Sequence, residues 1–216
     1  KRTGVLYNNL TGKFPYMSLE ENVCFLIVYH YKSNAILALP ISGLDDNTIF
    51  AACKTQFEFL ESKGYKIKIN VMDNQCTKQI KKFLTKKDCE LMLVEPHNHR
   101  ANAAKREIQT FKDHFISALA TTDRKIPPPT MGQAHIPSRE YSQLDASFPH
   151  QPQHIGYEAL RGPYDWNRFP LAPPGCKAII YKSPNARGSW GCRGMDAWYL
   201  GPSIDHYQCN LYFVPK

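Results

Sequence analysis

A chain of 216 residues with 27 Lys+Arg against 19 Asp+Glu carries a formal charge of +8, and its length suits one domain or one domain with a small appendage. Its 43% hydrophobic and 12% aromatic content excludes a disordered chain, and no apolar run approaches the ~20 residues of a membrane span, so a soluble protein is expected. A pI near 9.1 points to an acidic partner, nucleic acid first, although a basic surface that serves only solubility explains the charge equally well.

In chain order, the run from Val23 to Tyr31 has strand length and is nearly all apolar; Lys32-Ser33-Asn34 has turn chemistry, and Ala35 to Ile41 returns as a second strand. Asp45 and Asp46 offer N-caps for a helix to about Lys63, with Ile49, Ala52, Cys53, Phe57 and Leu60 at steps of three and four and Gly64 as its stop. Ile67, Ile69 and Val71 alternate with polar residues as a half-buried strand that delivers Asp73 at its end. A helix over 77–87 keeps Ile80, Phe83 and Leu84 inside and shows Lys78, Lys81, Lys82, Lys86 and Lys87 outside. Leu91 to Val94 reads as a buried strand, and Asn102 to Leu119 as a long helix with the stripe Ala104, Ile108, Phe111, Phe115 and Leu119. With an ill-defined strand before Phe14, the order β-β-α-β-α-β-α predicts an α/β layer fold on one mixed sheet. Residues 121–155, with Pro127-Pro-Pro129 and no apolar period, read as loop or linker; beyond them 177–181, 197–200 and 209–214 are short strands of a small all-β module. Its core is expected from Trp190, Trp198, Tyr199, Tyr207, Tyr212 and Phe213.

The start Lys1-Arg2-Thr3, without Met or signal peptide, suggests a piece of something longer. The 7 Cys form no Cys-x-x-Cys pair and suit reduced thiols within a cell, nuclear or cytoplasmic, with Cys24 and Cys53 at core positions. The segment from His97 to Arg106 sets two imidazoles, a guanidinium and two amides at a helix N-terminus, where backbone amides already favour anions. His97 and His99 could hold zinc, but no third ligand stands at the right spacing, so phosphate contact is the favoured role.

Thr11-Gly-Lys-Phe-Pro15, Ser33-Asn-Ala-Ile-Leu37, Asp73-Asn74, Pro96-His-Asn-His-Arg100, Asn102-Ala-Ala104 and Thr110-Phe-Lys112 stand in an order that resembles the integrase core of copia-type retrotransposons. Gly162-Pro-Tyr-Asp-Trp-Asn-Arg168, Pro170-Leu-Ala-Pro-Pro-Gly175, Gly188-Ser-Trp190 and Trp198-Tyr-Leu-Gly201 resemble the stretch that follows it in the polyprotein. The resemblance spans nearly the whole chain except about residues 124–150. It implies an RNase H-like core over 1–122 (a mixed five-stranded sheet flanked by helices), a linker over 123–160 and an SH3-like module over 161–216.

The activity it implies is DNA integration by strand transfer, with two Mg²⁺ or Mn²⁺ ions clamped by three carboxylates so that they polarise a phosphodiester and activate a hydroxyl. The matching positions are Asn9, Asp73 and Lys105, so only Asp73 keeps its carboxylate and is the one position left for a metal. Glu107 lies two positions past Lys105, about 200° around the helix, and points elsewhere. A pseudoenzyme that binds little or no metal is therefore expected. Non-specific DNA contact is expected from His97, His99, Arg100, Asn102, Lys105, Arg106 and Lys112; the alternative is a co-opted scaffold in a protein assembly. A homo-oligomer fits either reading, and a membrane partner fits neither. Asn9, His30, Lys32 and Lys105 each replace a family Asp or Glu, and four lost negative charges plus two gained positive ones make six of the +8.

Overall fold

The computed structural model describes residues 4–14, 21–73, 76–95, 103–123, 125, 156–163, 172–173, 175–203, 206 and 209–215. Strand β1 (Val5–Leu10) is the sequence's ill-defined opening strand and lies at the centre of a five-stranded sheet. β2 (Cys24–His30) and β3 (Ala35–Ile41) follow as an antiparallel meander. Helix α1 (Asp46–Ser62) crosses to β4 (Ile69–Met72), and α2 (Lys78–Lys86) crosses to β5 (Glu90–Leu93), both strands running parallel to β1. The order β3-β2-β1-β4-β5 makes the expected mixed sheet flanked by helices.

Local chemistry fixes these elements where the sequence placed them. Asp45 caps α1, its carboxylate accepting from the Thr48 N–H at 2.9 Å and the Thr48 hydroxyl at 2.6 Å, and Gly64 ends it at φ 81°. Thr77 caps α2 by accepting from the Ile80 N–H at 3.2 Å. Gly4, at φ 91°, opens β1 where a Cβ would stand 2.7 Å from the Lys66 carbonyl oxygen, a close approach open only to glycine. Its carbonyl accepts from both Lys68 and Ile69, which holds β4 in register.

Strand alternation sends Leu6, Leu26, Val28 and Leu37 to one face, beneath α1 and α2 with Phe57, Leu60, Ile80 and Leu84. Val5, Tyr7, Phe25, Ile27 and Tyr29 face the other way, against Ala104, Ile108 and Phe111 of α3 (Ala103–Ala120). Phe115 is half-buried in that layer, and the Leu119 side chain lies outside the described residues.

Three readings need correction. The strand expected at 67–71 begins at Ile69, because the backbone of Lys68 and Ile69 is tied to Gly4; Ile67 is buried all the same. β5 is not a buried strand: it lies at the sheet edge, with Met92 48% and Leu93 45% exposed. Within the segment read as linker, α4 (Gly156–Arg161) is a helix whose Leu160 joins the α1-side core, and the Tyr65 hydroxyl donates to the Ala159 carbonyl at 2.8 Å. Six residues are too few for an apolar period to show in the sequence.

A second sheet, β6-β7-β8, is a three-stranded antiparallel meander of Lys177–Tyr181, Gly194–Pro202 and Asn210–Phe213. Its aromatics divide differently from expectation: Trp198 and Tyr199 are buried, Tyr212 is exposed, Trp190 lies wholly in solvent, and Tyr207 is outside the described residues. No helix among the described residues is long and apolar enough to cross a membrane.

Candidate functional site

The ends of β1 and β4 build the candidate site. Asn8 pairs with Met72 across these parallel strands, so the next residues, Asn9 and Asp73, emerge side by side. A buried hydrogen bond from Asn8 Nδ2 to Asn70 Oδ1, at 2.9 Å, locks this register on the α1 face. Asn8 therefore pins the strand register directly beside Asn9.

Asn9 and Asp73 line one small cleft together with Asn8, Leu10, Leu26, Ile49 and Met72. It holds about 10 Å³, the room of a single water. A wider opening next to it, bordered by Leu10, Leu44, Ile49, Cys76 and the first residues of α1 and α2, joins the same end of the sheet. The Asn9 side-chain oxygen already accepts from the Leu10 N–H at 2.8 Å, so its carbonyl is bound to its own backbone.

Lys105 and Arg106 are exposed in the first turn of α3, and Lys112 is half-buried further along. Lys105 is not among the described residues that line the cleft. His97, His99, Arg100 and Asn102 lie outside the described residues. The lysines of α2 all face solvent, and Lys87 donates to Glu61 at 2.6 Å.

Glu107 turns inward, 2% exposed, opposite to its exposed neighbour Lys105. Burial pushes its carboxyl up to about 7 against the pull of Arg106, and its nearness raises the Tyr29 phenol further. Glu107 is not among the described residues that line the β1–β4 cleft.

His30, at a position where the resemblance implies Asp, is wholly buried on the opposite face. Its Nδ1 lies 2.7 Å from the Ser33 hydroxyl, and its ring meets Tyr65 edge-on at 4.7 Å. Burial, aided by Lys32, pulls its pKa down to about 4, so it is a neutral core residue near pH 7. Cys24 and Cys53 are buried, as expected, and burial raises both thiols away from reactivity.

A two-metal centre needs several anionic oxygens around each hard cation. The cleft supplies one carboxylate, from Asp73, and the amides of Asn8 and Asn9, and among the described residues no three His, Cys, Asp or Glu converge to hold a metal ion. This donor set does not fit a two-metal centre.

No family model matches this chain. No curated protein matches it either. Among solved structures, it is similar to the catalytic core domain of BIV integrase, with a TM-score of 0.49 and 10% identity over 72% of this chain and 92% of that one.

Proposed function

We propose that this chain is an integrase-like, nucleic-acid-binding protein of RNase H-like fold, derived from a copia-type retrotransposon and followed by an SH3-like module, with strand transfer lost. The observation that carries the reading is that Asn9 and Asp73, each one residue beyond the Asn8–Met72 pair, share one cleft. These are two of the three positions at which the resemblance implies carboxylates, and they meet as a common site requires. The strand order, an antiparallel meander extended by two parallel strands, supports the same reading.

Loss of strand transfer follows from the chemistry of the residues. One amide in place of a carboxylate removes a negative charge, and a lysine at the third position adds a positive one. What remains suits phosphate contact: Lys105 and Arg106 are exposed on α3, and Lys78, Lys81, Lys82 and Lys86 on α2. Contacts of this kind position a duplex without reading its sequence.

The test is a gel shift with duplex DNA over a salt series, alongside a Mn²⁺-dependent nicking assay on DNA ends. Binding that weakens with salt and no nicking are expected. Clear nicking that Asp73→Ala abolishes overturns the loss of activity, and no binding at low salt overturns the nucleic-acid role.

A scaffold role has one observation in its favour. Met92 and Leu93 on the edge strand β5, together with Ile116 on α3, leave apolar surface that a protein partner would cover. A self-associating chain that fails to bind duplex DNA at low salt would select that reading.

A further inference from the structure

The connection between β6 and β7 combines positive charge and open aromatic rings that the small sheet's own packing does not use. Residues 182–193 carry Lys182, Arg187 and Arg193 and no acidic residue. The Lys182 N–H donates to the Arg193 carbonyl at 2.8 Å, so two of these cations flank the base of the loop. A 3-10 turn at Pro184–Ala186 and a bond from the Gly191 N–H to the Gly188 carbonyl, at 2.9 Å, shape the segment between them.

Trp190 sits between those glycines with its ring wholly in solvent, 101% exposed. Tyr181, 67% exposed, and Ile179, 77% exposed, continue an open surface along one face of β6. Across the ladder from Tyr181 stands Gly194, so no neighbouring side chain covers the phenol from that strand. The acid of β7, Asp196, is already paired with Lys177 at 2.9 Å and leaves the loop's charge uncancelled.

An indole left entirely in water adds nothing to the core, yet offers a free π face on a loop that carries three cations. Stacking faces next to a positive track are what unpaired bases on a phosphate chain need; stacked base pairs in a duplex expose no such face. We propose that this loop and the adjoining face of β6 bind single-stranded nucleic acid, with Trp190 and Tyr181 stacking on bases and Lys182, Arg187 and Arg193 contacting phosphates. The surface is separate from the β1–β4 cleft and does not depend on it.

The test uses the full chain with fluorescein-labelled oligo-dT and oligo-U of about 12 nucleotides, and a duplex of equal length, over a salt series. Binding of the single strands is expected, whether DNA or RNA is preferred. Trp190→Ala should weaken it by at least about fivefold with little change in salt slope. Arg187→Ala with Arg193→Ala should lower the slope by about 1.4. Trp190→Ala should keep its circular dichroism and thermal midpoint, because its ring packs on nothing. Unchanged oligonucleotide affinity in Trp190→Ala, or no single-strand binding at low salt, overturns the proposal. Duplex binding that persists in either case leaves the integrase-like reading standing and removes only this surface.

Discussion

Glu107 and His30 are buried on opposite faces of one sheet, and folding displaces their proton equilibria in opposite directions. Glu107 rises from 4.5 to about 7, so the folded state holds its proton more tightly than the unfolded one. Its share of stability is full below pH 4.5 and is lost as pH climbs to about 7. His30 falls from 6.5 to about 4, so its share is present above 6.5 and is lost as pH falls to about 4. Each shift is worth on the order of 3 kcal/mol. Over pH 4.5–6.5 the two slopes cancel, and these groups leave the wild-type urea midpoint nearly flat. Glu107→Gln should unmask the histidine, giving a midpoint that rises with pH over that range; a midpoint that stays flat refutes the assignment. Helix geometry foretold that Glu107 would leave the Lys105 side, but its burial followed only from the sheet laid against α3.

At the scale of elements, α4 shows how a short helix can depend on packing alone. Six residues are too few for a self-sustaining helix, so Leu160 and the Tyr65–Ala159 hydrogen bond must hold it to the sheet. Leu160→Ala should cost about 2–4 kcal/mol, read from chemical denaturation, with faster amide exchange over 156–161. A loss under about 0.5 kcal/mol would mean that α4 is not anchored there. The longer helices were legible beforehand because caps, apolar period and stop agreed: Asp45 and Gly64 bound α1, and Thr77 opens α2. β5 was misread because Leu91 to Val94 is apolar whether a strand is central or at an edge, and only strand order separates the two.

For the whole molecule, the +8 charge is spread over surfaces with different roles. Lys87 is engaged by Glu61 and Lys177 by Asp196, which withdraws part of the excess from any partner. The exposed lysines of α2 and the cations of α3 remain as a diffuse set proposed to contact duplex, and residues 182–193 as a compact second set proposed for single strands. Four phosphate contacts from the first set predict roughly a hundredfold loss of duplex affinity between about 50 and 200 mM salt. Reversing Lys78, Lys81 and Lys82 to Glu should reduce that slope, as measured by fluorescence anisotropy. An unchanged slope would exclude α2 from the interface.

The sequence by itself determined the mixed α/β layer, the bounds of its long helices and the identities of Asn9, Asp73 and Lys105, because period, caps and motif order are local properties of a chain. Tertiary structure alone brought Asn9 beside Asp73, through the parallel pairing of strands some sixty residues apart and the Asn8–Asn70 bond that fixes their register. It alone buried Glu107 and left Trp190 in water, a residue that composition had assigned to the core. Exposure depends on what packs against a residue, and two chemically identical indoles at 190 and 198 meet opposite surroundings because one lies on a loop and the other on the central strand of its sheet.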